Sequence, residues 1–336
     1  MAGRGSLGEF ELIARYLAPL AADAPGAFGL EDDAAVIAAP ADSDLVVTTD
    51  AMVEGIHFLK TDGAGRIARK LLRVNLSDLA AKGAEPIGYQ LVLGLPAPVD
   101  EAWLADFAAG LAQDQQEFAF PLYGGDTIRS PSGLMLAVTA FGHVQKGGVL
   151  QRSGGQAGDD LYVTGTIGDA ALGLEVKLKR RPVPAAAAAA FDARLHLPTP
   201  RLAVGRALRG TAHAAMDVSD GLVQDAGHIA SASGLRVVID ASLVPFSDAA
   251  RPLVAQDTGL LDVMLGGGDD YELLFSASPR NAASIRQIAM ATGVAITRIG
   301  RLEAGSGVLV ETADGRPITV GRAGFQHFGG GGACGE

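Results

Sequence analysis

The chain has 336 residues, with 27 basic and 38 acidic side chains, a formal net charge of -11 at pH 7 and one cysteine. That acidic balance argues against a nucleic-acid backbone as the main partner, and one thiol can form neither an intrachain disulfide nor a cysteine zinc site. A hydrophobic fraction of 48% supplies cores for about two domains, and no apolar run approaches the roughly 20 residues of a membrane span.

The N-terminus lacks a basic-then-apolar signal pattern, which predicts a cytoplasmic protein. Gly3-Arg4-Gly5-Ser6-Leu7-Gly8 spells GxGxxG, but no strand precedes it, so it reads as a flexible terminus. Phe10, Ile13, Leu17 and Leu20 fall at helical spacing and predict a helix over 10–20. Beyond the Pro25-Gly26 break, the adjacent acids Asp32 and Asp33 precede small residues and a strand. The run Leu45-Val46-Val47-Thr48 has the composition of a buried strand. It is expected to end on Asp50, with Glu54, Gly55 and His57 just beyond.

Residues 64–82 predict a helix stopped by Gly83, with Ile67, Leu71, Val74 and Asp78 on one stripe. Asp78 therefore faces the core and needs a partner: an arginine, backbone donors or a metal. Residues 89–95 read as a strand and 101–117 as a helix whose Trp103, Leu104, Phe107 and Leu111 are packing residues. Strands over 120–124 and 134–144 flank an expected turn, Gly124-Gly125-Asp126-Thr127-Ile128-Arg129, whose two glycines allow a ligand close to the backbone.

The polar, Gly-rich stretch 146–160, which contains Arg152, is the expected domain boundary. It divides the chain into 1–145, 146–328 and a Gly-rich flexible tail, 329–336, that carries Cys334. Next come a strand over 161–164, a helix over 170–179, an exposed excursion over 180–190 and a helix over 201–209. A buried strand, 214–216, runs into Asp217-Val218-Ser219-Asp220-Gly221, with Ser219 a candidate cap for the helix that follows. Gly266-Gly267-Gly268-Asp269-Asp270 then leads into a strand through Phe275.

Apolar runs that repeatedly meet aspartate suggest one acidic metal centre built from distant segments. There is no GxxxxGK[ST], HExxH or GxSxG, and no histidine pair at zinc-ligand spacing. Asp, Ser, Thr, Gly and a few Arg remain, an inventory suited to Mg²⁺ and other hard cations. Such sites serve phosphoryl transfer, with metal-dependent hydrolysis the nearest competitor. Divalent cations also explain how so acidic a chain could hold a phosphate.

The motifs Gly8-Glu9-Phe10, Asp32-Asp33-Ala34-Ala35, Thr48-Thr49-Asp50 with Gly55-Ile56-His57-Phe58, and Asn75-Leu76-Ser77-Asp78-Leu79 stand in order along the chain. They are followed by Gly124-Gly125-Asp126-Thr127, Arg152-Ser153-Gly154, Asp217-Val218-Ser219-Asp220-Gly221-Leu222 and Asp270-Tyr271-Glu272-Leu273. Together they resemble the thiamine-monophosphate kinase family, of the aminoimidazole ribonucleotide synthetase superfamily. The resemblance implies a two-domain α/β (α+β) fold that dimerises through its N-terminal sheets, joined into a barrel.

It further implies direct in-line transfer of the γ-phosphoryl of ATP to thiamine phosphate, giving thiamine diphosphate. By position, Asp33, Thr48, Thr49, Asp50, Asp78, Asp126, Asp217 and Asp220 would hold several Mg²⁺ ions, with Asp50, Asp78, Asp126 and Asp217 central to catalysis. Gly125, Asp126, Arg152 and Ser219 would contact ATP, and His57, Asp269 and Phe325 thiamine phosphate. Two positions depart from the family: Glu31 stands where Gly is usual, and Asp269 where Glu is usual. Among sibling activities, selenide chemistry would need an N-terminal cysteine that is absent. Thiocyanate formation would need a cysteine at the extreme C-terminus, and Cys334 lies two residues short of it. A silent ATP-binding scaffold would have little need of so many acids.

Overall fold

An 11-residue strand followed by a long helix sets the pattern at the start of the chain. The computed structural model describes residues 9–32, 34–98, 100–321 and 324. Asp33, Phe325, the Gly3–Gly8 motif and the tail with Cys334 lie outside the described residues. The described residues form two compact units, one from residues 9–79 with 85–146, the other from 80–84 with 147–324.

The first unit begins with a short helix, α1 (Glu9–Leu12), continued by a π turn over Ile13–Leu17 and a 3₁₀ turn over Ala18–Ala21. The expected helix is therefore broken into three. Pro19 has no N–H to donate, and regular spacing is lost at it. Leu12, Leu17, Leu20 and Ala21 are buried, while Phe10 is 84% exposed.

Strands β1 (Ser43–Val53), β2 (Glu85–Leu95), β3 (Leu122–Arg129) and β4 (Met135–Gln145) form a sheet of order β1-β4-β2-β3. The β1/β4 and β4/β2 pairs are antiparallel and β2/β3 is parallel. One face is buried, carrying Leu136, Val138 and Ala140 from β4 and Tyr89, Leu91 and Leu93 from β2. Helices α2 (Ala64–Ala81) and α3 (Glu101–Phe118) are joined by Arg69 and Arg73, which both bond the buried Asp114 at 2.7 Å. The predicted stripe of α2 holds: Ile67, Leu71 and Val74 are buried.

Two expectations fail here. β1 is an edge strand, and Leu45 and Val47 are 48% and 53% exposed, because they stand on the sheet face opposite the core. β3 runs straight through Gly124–Arg129, so no turn forms there.

The second unit holds strands β5 (Asp160–Thr164), β6 (Ala214–Asp217), β7 (Arg236–Asp240), β8 (Leu273–Ala277), β9 (Ile296–Glu303), β10 (Gly307–Glu311) and β11 (Pro317–Ile318). They order as β11-β10-β7-β9-β5-β8-β6, and only β10/β7 is parallel. Its helices are α4 (Asp169–Lys177), α5 (Ala185–His196), α6 (Leu202–Leu208), α7 (Leu222–Ser233), α8 (Arg251–Gln256), α9 (Leu260–Gly266) and α10 (Ala282–Thr292).

Period-two alternation feeds two cores. Leu161, Val163, Met216 and Leu274 join Leu222 and Ile229 of α7. Tyr162, Ala215, Leu273 and Phe275 join Val204 and Leu208 of α6 and Ile285 of α10. The expected excursion over 180–190 is largely exposed, but from Ala185 it is already α5. Its alanine run is helical, and Phe191 is buried with Leu172 of α4 and Met264 of α9.

Candidate active site

In the first unit the acids stand on strands and on the helix beneath them. Asp50 lies inside β1 rather than at its end, three residues before Val53. Thr48 and Asp50 share the covered sheet face, in register with the buried Ala140 and Val138 of β4. The Thr48 hydroxyl donates to Asp78 Oδ2 at 2.6 Å. Asn75, one turn earlier on α2, accepts the Asp50 backbone N–H through its side-chain oxygen at 3.1 Å. This capped amide belongs to an edge strand, where backbone donors lack a neighbouring strand.

Thr49 points to the opposite face, with its hydroxyl 3.0 Å from that of Thr139. Asp126 is on that same open face, in register with Val92 and Ala137. Side-chain alternation thus separates Thr49 and Asp126 from Thr48 and Asp50. Gly125 answers a packing demand: a Cβ there would stand 1.7 Å from the Leu91 carbonyl oxygen. The close approach expected for a ligand is made by the neighbouring strand.

His57 is fixed by its own turn. The Val53 N–H donates to His57 Nδ1 at 3.0 Å, so the proton of the neutral ring sits on Nε2. A histidine set this way offers a donor at Nε2.

In the second unit, two loops interlock backbone to backbone. Asp217 ends β6 and is buried. The β6/β8 pairing then continues past the strand ends: Tyr271 N–H donates to Val218 O and Asp269 N–H to Ser219 O, both at 2.8 Å. Gly268 permits the approach, since a Cβ there would lie 2.2 Å from the Ser219 carbonyl oxygen. Asp269 and Tyr271 both have positive φ, 71° and 51°, an uncommon state for non-glycine residues. Between them Asp270 turns inward and is buried. Its Oδ2 accepts the Gly168 N–H at 2.8 Å, while Oδ1 makes no hydrogen bond among the described residues. Burial holds this carboxyl well above the usual aspartate range.

Next in the chain, Glu272 anchors the strand. Fully buried, it takes bidentate bonds from Arg201 at 2.6 Å each, one from Arg194 at 2.7 Å and one from Thr164 at 2.6 Å.

Ser219 does not cap α7. The N-cap is Gly221, and the first-turn acid Asp225 reaches back to accept the N–H groups of Asp220 and Gly221, both at 3.1 Å. Sequence reading passed over Asp225, although its place four residues after Gly221 is a signal for such a contact. Burial, then Asp217 and Asp220, pushes its carboxyl up to about 8. Ligand atoms of Asp220, Asp225 and His228 lie within 4.8 Å of one another. Arg152 is exposed and Ser219 half-buried.

The chemistry of these donors suits a hard divalent cation. In the second unit two carboxylates, Asp220 and Asp225, stand beside the His228 imidazole, and in the first the Thr48 hydroxyl meets the Asp78 carboxylate.

Two family models cover most of the chain. AIR synthase related protein, N-terminal domain, matches residues 31–144, and AIR synthase related protein, C-terminal domain, matches 156–311. The fold is thus that of the AIR synthase related class. Thiamine-monophosphate kinase of Caulobacter vibrioides is 43% identical over 95% of this chain and 90% of its own length. The crystal structure of thiamine-monophosphate kinase from Stenotrophomonas maltophilia K279a is 41% identical, with a TM-score of 0.79 over 86% of this chain and 91% of that one. A structure of AaThiL complexed with AMPPCP and TMP is 30% identical, with a TM-score of 0.76 over 96% of this chain and 97% of that one. The chain belongs to the thiamine-monophosphate kinase family.

Proposed function

We propose that this protein transfers the γ-phosphoryl group of ATP to thiamine phosphate, giving thiamine diphosphate and ADP. The observation that carries this reading is the 43% identity to a named thiamine-monophosphate kinase across 95% of the chain. The AMPPCP and TMP of the AaThiL complex, an ATP-like nucleotide and thiamine monophosphate on this reading, support the substrate pair.

Asp33, Thr48, Thr49, Asp50, Asp78, Asp126, Asp217 and Asp220 are the proposed Mg²⁺ ligands, and Asp225 joins Asp220 by geometry. When bound, Mg²⁺ would supply the positive charge that offsets the phosphates. Gly125, Asp126, Arg152 and Ser219 bind the nucleotide, the Arg152 guanidinium matching phosphate oxygens. His57 donates from Nε2 to the acceptor phosphate. Asp269 and Phe325 meet the thiamine moiety, the carboxylate facing its cationic ring. The attacking phosphate oxygen is already ionised, so direct in-line attack needs no strong base and no phosphoenzyme.

A homodimer is part of the proposal. Leu45, Val47 and Ile128 leave apolar surface on the sheet of the first unit, which a second copy would cover. No described helix is long and apolar enough to cross a membrane. We assign the reaction to the cytoplasm, where ATP is made available.

A substrate panel tests the activity. Thiamine phosphate is consumed with stoichiometric ADP, whereas free thiamine, aminoimidazole precursors and selenide are not. EDTA stops turnover and Mg²⁺ restores it. Equal ATP use with the other acceptors, or turnover that survives thorough chelation, overturns the reading.

A further inference from the structure

The segment Asp269-Asp270-Tyr271 departs from the alternation of an extended chain. Positive φ at Asp269 and Tyr271 brackets an Asp270 side chain that is buried and held by the Gly168 N–H at 2.8 Å. The backbone on either side is tied to Ser219 O and Val218 O. With the middle residue anchored inside, both flanking side chains are half-buried and meet: the Tyr271 hydroxyl donates to Asp269 Oδ1 at 3.2 Å. Left-handed backbone at non-glycine residues is strained and persists where the surrounding structure over-determines it. Here Gly168, Val218 and Ser219 supply that determination.

We propose that Tyr271 is a positioning residue for substrate recognition: its hydroxyl fixes one oxygen of Asp269, so the carboxylate presents its charge to the cationic ring of thiamine phosphate in one orientation. The inference rests on the proposed role of Asp269 as a substrate contact. An aspartate carboxylate hangs on a short side chain with little rotational freedom of its own. A donor two residues away therefore removes most of the freedom that remains. Ordering the carboxylate before the substrate arrives lowers the cost of binding. The effect belongs in recognition of thiamine phosphate rather than in the phosphoryl step.

Steady-state kinetics of Tyr271→Phe tests it, since the change is isosteric and removes only the hydroxyl. KM for thiamine phosphate rises about 3- to 10-fold, the range for losing one ordinary hydrogen bond, as the 3.2 Å separation warrants. kcat and the KM for ATP stay within about two-fold. Asp269→Asn also raises KM for thiamine phosphate, and Tyr271→Phe/Asp269→Asn is no worse than Asp269→Asn alone, because the hydroxyl acts through that carboxylate. An unchanged KM in Tyr271→Phe beside a raised KM in Asp269→Asn overturns the positioning role and leaves the substrate contact standing. Additive losses in the double variant also overturn it. An unchanged KM in Asp269→Asn removes the substrate contact itself, and the inference with it.

Discussion

The Asp269 amide donates to the Ser219 carbonyl at 2.8 Å. The residue proposed to meet thiamine phosphate and the residue proposed to meet ATP are therefore linked by one backbone hydrogen bond. Each stands in a loop that carries aspartates, and Gly268 exists where a side chain would force the loops apart.

Replacing Asp50 or Asp78 with Asn removes charge while keeping shape. Asn at 78 still offers an oxygen to the Thr48 hydroxyl, so the local bond survives. Turnover falls by about 100-fold or more in each variant, as expected for losing several kcal/mol of charge stabilisation. A coupled ADP assay reads the rate, and circular dichroism confirms the retained fold. Near-normal rates in both variants would reject the proposed role of these acids.

Gly125→Ala strains the sheet directly. The added methyl meets the Leu91 carbonyl oxygen at 1.7 Å, and neither partner is a flexible side-chain end. Stability drops by about 1–3 kcal/mol, the usual cost of overpacking. Urea denaturation measures it, and Gly124→Ala provides the contrast. There the nearest non-neighbouring atom to an added Cβ is Gln90 Nε2 at 3.8 Å, although positive φ still adds strain.

The acid Asp225 gives metal-free protein a definite pH response. Its folded-state pKa is raised from 3.8 to about 8, so the folded form keeps a proton that the unfolded chain releases. Stability from this group is full below about pH 4 and declines as pH rises towards about 8. Thermal melts in EDTA between these values show the fall, and Asp225→Asn flattens it. An identical slope in wild type and variant would show that Asp225 is not the group responsible.

Breaking the buried cluster at Glu272 is costly because a charge is left under-compensated. Arg201→Met removes two of the four side-chain bonds to this fully buried carboxylate. The expected loss is about 3 kcal/mol, read as a shift in the urea midpoint with unchanged slope. A variant as stable as the parent would mean that Arg194 and Thr164 suffice.

Much of this arrangement is legible in the residues. The helical stripe of α2 is an outcome of spacing alone, and its half-buried Asp78 finds a partner in the Thr48 hydroxyl. Local pattern says less about strand ends. Asp50 and Asp126 look terminal because an acid follows an apolar run, yet both lie within strands. A strand can carry polar side chains on one face and remain paired through its backbone. The same limit explains α5: a Pro-flanked alanine run has no stripe of its own, and its place is set by Phe191 packing against α4 and α9.

By itself the sequence determined the ordered set of motifs, the helix and strand periods, and the supply of oxygen ligands without a nucleophile. Those follow from residue type and spacing, which are local. Tertiary structure decided which face each acid occupies, that Thr49 parts from Thr48, that Gly125 yields to a carbonyl, and that Asp225 and Asp270 sit out of water with raised pKa values. Such properties depend on which distant backbone lies alongside and how much solvent it displaces, and no short window of sequence contains that information.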